Sequence, residues 1–331
     1  MKKLLAVVMS VVIAAAVMCP VLTASAAGDT AYTIVNPYET VDWDSWQYYK
    51  ANLHTHSVAS DGDETITDMV GLYYDAGYDI LALTDHGVVS HGWNLPRKTN
   101  GVFNYFRKAD PMSDEDYQRI TTGSDRGGRG MTDITGGIEI NMAVFSKTHV
   151  NGYFTEYGQG EWGIENDYRT APAKVEEMGG YSVLNHVGDW VNSNRYPERS
   201  HWDVFITYFA NIFKDYHTCL GMEIKNNTDN VTRADRALWD ELLQVVIPTG
   251  RNIWAFADDD SEYRNEVGRS FEYFVLPENT EEAVKTGMIN GTFFACSRYE
   301  KHIQAGVDDF EGNGNVPLVK NIIVDQQANT I

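Results

Sequence analysis

Short apolar runs of strand length alternate along this chain with stretches whose apolar residues recur at helical spacing. Residues 48–54 read as a strand. In 65–76, Ile66, Met69, Val70, Tyr73 and Tyr74 share one face at 3.6-residue spacing, which predicts a helix. Asp63 is its candidate cap and Gly77 its stop. Strands are expected at 79–84, 136–140, 181–184, 219–224 and 252–257, and helices at 172–178, 232–246 and 281–289. Such alternation predicts an α/β fold with parallel strands. Two long connections, 87–135 and 189–217, interrupt the rhythm. The first carries Trp93, Phe103, Tyr105 and Phe106, a short helix expected from Ser113 and a glycine-rich stretch at 127–130. This aromatic content favours packed lids over disorder. Residues 301–331 are expected as a C-terminal extension, with 317–325 the first strand of a small β module.

The N-terminus changes how the composition is read. Lys2 and Lys3 precede an apolar run to Cys19, then Pro20 and the small residues Thr23 to Ala27. This is the layout of a cleavable signal peptide over 1–27, cut after Ala26 or Ala27, and it implies a secreted protein with no stable membrane span after cleavage. Residues 28–47 read as a leader to the main domain at 48–300. Outside the signal two cysteines remain, Cys219 and Cys296, open to a bridge or to two separate buried thiols. With 47 acidic against 26 basic residues, the net charge of −21 argues against bulk nucleic-acid binding. Oligomeric state is not legible at this level.

Chemistry gathers where the expected strands end. The first ends in His54-Thr55-His56, with Asp61 five residues on, and the second in Thr84-Asp85-His86. Glu139 closes the third, His149 follows it, and Asn185-His186 closes the next. Glu223 and then Asp258-Asp259-Asp260-Ser261-Glu262 end the last two. Parallel strands in a barrel bring such ends to one face, where active sites form. Residues two apart on a strand point the same way, so His54 and His56 can present two imidazoles to one cation. A carboxylate such as Glu139 can bridge two cations, and two cations can activate water and stabilise an in-line displacement. Mixed histidine and carboxylate ligands suit Zn, Mn or Fe.

The ordered set resembles the PHP (polymerase and histidinol phosphatase) domain family over roughly Tyr48 to Ser297. Asn52 through Ser57, then Asp61-Gly62 and Leu83-Thr84-Asp85-His86, carry the likeness most specifically. The resemblance implies a distorted (β/α)7 TIM-like barrel and a metal-dependent phosphoesterase with two or three divalent ions. It implies that His54, His56, Glu139 and Asp260 hold the first ion, and that Glu139 bridges to a second on His149 and His186. A third would rest on Asp61, His86 and position 262. There the family pattern has histidine and this chain has Glu262, a harder, charged ligand, which implies a third ion of different identity or none. The run of three aspartates leaves Asp259 as an alternative to Asp260.

Asp85, beside His86, is a candidate to orient a ligand through a hydrogen bond, and Glu223 is either a supporting group or a plain exposed carboxylate. Arg169, Arg195, Arg264 and Arg269 are candidates to clamp phosphoryl oxygens. His91, His201, His217 and His302 match nothing in the pattern and read as ordinary surface or core histidines. Bound cations would make the site locally positive despite the acidic chain, so a small phosphoester is the expected substrate. Hydrolysis would run by attack of a metal-bridging hydroxide. A metal-dependent amide or ester hydrolase on the same barrel, or a secreted binding protein that has lost catalysis, are the other readings.

Overall fold

The computed structural model describes residues 34–98, 109–140, 147–160, 167–193, 202–228, 232–300, 308–312, 314–328 and 330–331. The expected signal peptide, residues 28–33 of the leader, and Arg195, His201, His302, Phe103, Tyr105 and Phe106 lie outside them.

The main unit spans 37–322. It opens with β1 (Gln47–Asn52), α1 (Ile66–Asp75), β2 (Ile80–Ala82), α2 (Asp114–Thr122), β3 (Thr132–Ile134) and β4 (Ile138–Ile140). Next come β5 (Val150–Tyr153), α3 (Thr170–Glu177), β6 (Tyr181–Leu184), α4 (Val187–Ser193), α5 (Trp202–Asp215) and β7 (Cys219–Asn226). It closes with α6 (Asp235–Val246), β8 (Trp254–Asp258), β9 (Ser270–Leu276), α7 (Glu281–Asn290), β10 (Phe293–Ser297), β11 (Tyr299–Glu300) and β12 (Phe310–Glu311). No described helix is long and apolar enough to cross a membrane.

The strands form two five-stranded sheets, β10-β9-β1-β2-β3 and β4-β5-β6-β7-β8, and a β11-β12 pair. A single closed ring of ladders is not present among the described residues. The two large sheets are instead joined by isolated bridges, Thr55 to Ser261 and His86 to Glu139. They share an apolar interior in which Leu53, Ile80, Ile134, Val183, Leu220, Phe256 and Phe274 are buried together. A second cluster lies under the helices of the β4–β8 sheet, with Phe209 and Phe213 of α5 and Leu238 and Leu242 of α6. A third seals α1 and α2 against β2 through Tyr73, Tyr78, Ile120 and Trp93.

Several expectations are corrected. The sheet is not uniformly parallel, because β5 runs antiparallel to both β4 and β6. A parallel return needs a crossover of about a dozen residues or more, and 141–149 is too short for one. Helix α1 is capped by Thr65, whose side chain accepts from the Asp68 N–H, and not by Asp63. The 189–217 connection is no lid: among its described residues it is largely helix, and α5 packs Phe209 and Phe213 into the core. The 87–135 connection holds α2, which starts where expected and is capped by Ser113, and β3. Residues 317–325 form no strand, since this mostly exposed run meets no partner ladder. Within the small separate unit that includes 323–331, Asp325 and Thr330 make an isolated bridge. Cys219 and Cys296 are both free thiols.

Candidate metal centre

Glu139 sits at the middle of β4 and is 1% exposed, and five imidazoles converge on its carboxylate. Its Oε2 lies 3.3 Å from His54 Nε2, 3.2 Å from His56 Nε2 and 3.1 Å from His86 Nδ1. Its Oε1 lies 3.1 Å from His149 Nδ1 and 3.2 Å from His186 Nε2. One oxygen therefore faces the His54–His56 side and the other the His149–His186 side, the disposition a bridging carboxylate needs. Asn185 Nδ2 donates to Oε1 at 2.8 Å and holds the carboxylate in this orientation.

The fold brings these groups together from separate strands. His54 and His56 follow β1 directly, and their Nε2 atoms stand 3.1 Å apart. His149 precedes β5, and the antiparallel run of β5 carries this residue to the face where the other strands end. His186 and Asp260 have positive φ, 28° and 46°, a region costly for residues other than glycine. Backbone bonds hold both in place: the His186 N–H donates to Glu223 Oε2 at 2.7 Å, and the Asp260 N–H to the His54 carbonyl at 3.1 Å.

The donors fit a cation. His54 Nε2, His56 Nε2, Glu139 Oε2 and Asp260 Oδ1 lie within 4.8 Å of one another. Asp260 Oδ1 is 3.1 Å from His54 Nε2 and 3.0 Å from His56 Nε2. A tetrahedron with edges near 3 Å has its centre about 2 Å from each corner, the bond length of nitrogen and oxygen ligands to a zinc-sized ion. Two further groups meet the same criterion, His56–Asp61–His86 and His86–Glu139–His149. The Nδ1 atom of His86, 3.1 Å from Glu139 Oε2, is buried without an aligned hydrogen bond, as a ring nitrogen kept for a cation would be.

The electrostatics agree. Burial opposes a charge on His54, yet Asp260, Glu139 and Glu223 outweigh it and hold its pKa well above the ordinary value. Burial likewise opposes protonation of His186, but its bond to Glu139 and the nearby carboxylates lift it to about 9. Burial would raise Glu139, and His86, His54 and His149 instead hold it well below the usual carboxylate range. A field that draws protons onto buried imidazoles also draws divalent cations.

Supporting side chains fix the donors. Glu223 is fully buried, not an exposed carboxylate, and its Oε1 accepts from His54 Nδ1 at 2.7 Å. That bond leaves the His54 Nε2 lone pair facing the cluster. Asn226 donates to Glu223 Oε2 and Asp260 Oδ2 at 3.0 Å each. Of the two aspartates, Asp260 is the one placed among the imidazoles. Asp259 turns away and accepts from the N–H groups of Gly268, Arg269 and Ser270 at 2.7–2.8 Å. Asp85 does not orient His86: its carboxylate accepts from the Ser57 N–H at 2.7 Å, from Ser60 Oγ at 3.0 Å and from Arg97 at 3.1 Å.

Asp61 Oδ2 lies 3.3 Å from His86 Nε2, but Glu262 stands outside the three donor groups. Burial, then the Asp61 charge, push the Glu262 carboxyl up. Among the candidate clamps, Arg169 pairs with Asp215, Arg264 with Glu64 and Arg269 with Glu266.

No protein-family model matches the chain, and no curated protein matches it. Among solved structures, a two-domain protein from Bacteroides vulgatus containing a predicted PHP-like metal-dependent phosphoesterase is similar, with a TM-score of 0.49 and 18% identity. The match covers 78% of this chain and 66% of that one, so this chain spans just under two thirds of its length. A lesion-specific endonuclease from Pyrococcus furiosus matches with a TM-score of 0.40 and 13% identity, over 76% of this chain and 58% of its own. An amidohydrolase from Chromobacterium violaceum matches with a TM-score of 0.36 and 14% identity, over 74% of this chain and 97% of its own. All three likenesses are distant.

Proposed function

We propose that this protein is a secreted, metal-dependent hydrolase of the PHP type that cleaves a small phosphate mono- or diester. The observation that carries the reading is the convergence of five imidazoles on the two oxygens of buried Glu139. His54, His56, Glu139 and Asp260 would hold one ion, Glu139, His149 and His186 a second, and Asp61 with His86 a third. Bound divalent ions of the Zn, Mn or Fe kind supply activated water and a positive field for the charge that develops on the substrate.

The chain's own residues do the rest. Glu139 holds the two halves of the site in register, and Asn185 fixes its plane. Glu223 locks the His54 tautomer and, through the His186 N–H, braces the far side as well. Asp61, 41% exposed, and the half-covered Asp260 mark the open side from which substrate enters. The net charge of −21 favours a small ester drawn to the cations over an extended nucleic acid.

Replacing His54 or Glu139 by Ala should reduce hydrolysis of a generic phosphomonoester and diester to background while circular dichroism stays that of the parent. Full activity in both variants would contradict the reading. A second reading, hydrolysis of a carboxylic ester or amide, is favoured by the pairing of Arg169, Arg264 and Arg269 with acids, which leaves none of the three as a ready phosphoryl clamp. Turnover of amides but not phosphoesters on a common substrate panel would select it. Secretion belongs to the proposal too, and N-terminal sequencing of exported protein beginning near residue 28 tests it.

A further inference from the structure

Arg97 lies in the long 87–135 connection and matched no motif, yet its side chain is 1% exposed. Burying a guanidinium is costly unless it is paired and hydrogen-bonded. Its bonds run to two places that matter for the metal centre. Nη1 donates to Asp85 Oδ2 at 3.1 Å, and Nη2 to Ser90 Oγ at 2.7 Å. Ser90 is bridged to Gly137, two residues before Glu139, with its N–H on the Gly137 carbonyl at 2.9 Å. Asp85 accepts from Ser60 Oγ at 3.0 Å, and Ser60 Oγ lies 3.1 Å from Asp61 Oδ1 and 3.3 Å from His56 Nδ1. Arg97 thus ties the 57–61 loop to the root of β4.

The two ends of the site are braced differently. The His54–Asp260 end rests on Glu223 and Asn226, which Arg97 does not touch among the described bonds. The Asp61–His86 end meets Ser60 and, behind it, Asp85. His56 turns Nε2 toward Asp260 and Glu139, so its Nδ1 faces Ser60 and Asp61, and Asp61 Oδ2 lies 3.3 Å from His86 Nε2. The Ser60 hydroxyl stands between that carboxylate and Asp85 and shares its proton with both, and the Asp85 charge is matched by Arg97.

We propose that Arg97 is a positioning residue which, through Asp85 and Ser60, steadies the 57–61 loop and so sets cation affinity first of all at the Asp61–His86 end. The proposal rests on the metal-centre reading above. The test titrates the metal-free full chain with Mn2+ and follows bound ion by electron paramagnetic resonance, for wild type, Arg97→Met, Arg97→Lys and Ser60→Ala. Loss of a partner that orients a ligand typically weakens metal binding about 10–100-fold. At the Mn2+ concentration that just saturates wild type, R97M and S60A should each hold about one equivalent fewer, with the remaining ions bound as before. R97K, which keeps the charge but not the forked reach, should fall between.

Equal content and affinity in wild type, R97M and S60A would overturn the proposal, and so would an equal loss at every ion, which would mark a merely structural role. Should R97M fail to fold, S60A decides, because it leaves the Arg97–Asp85 pair intact and removes only the hydroxyl that stands between Asp85, Asp61 and His56. Absence of Mn2+ binding by wild type would overturn the metal-centre reading itself, a result distinct from the others.

Discussion

Glu223 shows how one residue's role follows from its surroundings. A carboxylate at full burial is unfavourable unless its oxygens are satisfied, and here they accept from His54 Nδ1, the His186 N–H and Asn226 Nδ2. Glu223→Gln keeps the shape and removes the charge, so the variant should bind divalent ions about 10–100-fold more weakly with little change in fold. Titration calorimetry of the metal-free protein checks this, and unchanged affinity would show that the charge is not needed. Asp133 offers a test in pH. Burial pushes its carboxyl up to about 7, against the pull of the Trp93 N–H and Arg97. The folded chain then keeps a proton that the unfolded chain releases near its ordinary, lower pKa, so stability should fall as pH rises through that window. Asp133→Asn should flatten the fall by about 1–4 kcal/mol between pH 4.5 and 8 in denaturant melts. Identical slopes would contradict it.

At this scale the ligands were more legible than their supports. The His54–His56 pair shows because strand geometry gives i, i+2 a shared direction. Asp260 could not be told from Asp259 without the backbone: only the turn at φ 46° sends one toward the imidazoles and the other toward residues 268–270. Arg97 and Asn226 left no signal, because burial and partners across the fold, not spacing, define what they do.

Elements bring the donors to one face, and β4 does so under tight constraint. Gly136 takes φ 68°, and a Cβ there would come within 2.6 Å of the Thr155 nitrogen. At Gly137 a Cβ would meet the Leu83 carbonyl oxygen at 2.7 Å. That close approach lets β4 bridge across to His86 with Glu139 in place. Gly137→Ala should cost about 1–3 kcal/mol in urea melts and lower metal content as well, because it pushes Glu139 away from the β1 histidines. Retention of both would show that β4 has slack.

Apolar patterning found strand 181–184 to the residue and placed α1, α3, α6 and α7 within a few residues of their observed bounds. It missed β5, whose four residues, Val-Asn-Gly-Tyr, carry polar Asn151 and Gly152 in a fully buried strand. It overread 317–325, where an apolar run has the propensity of a strand and no neighbour to pair with. The 189–217 stretch was misread for the converse reason: α5 packs aromatic residues that look like a lid when no helical face is assumed.

Over the whole molecule, two sheets enclose one interior, and their short bridges lie beside the donor cluster. The bridge from Thr55 to Ser261 stands between His54 and Asp260, and the bridge from His86 joins Glu139 directly. Sheet closure and site assembly therefore happen at the same residues, and bound cations should hold the sheets together as well as act in chemistry. The most direct test of this account is the metal content of the purified wild-type chain beside Glu139→Ala, measured by inductively coupled plasma mass spectrometry. The account predicts two or three equivalents of a divalent transition ion in wild type and at least one fewer in E139A. A wild-type chain with less than one equivalent after incubation with Zn2+, Mn2+ or Fe2+, or an E139A chain with the wild-type content, would contradict it.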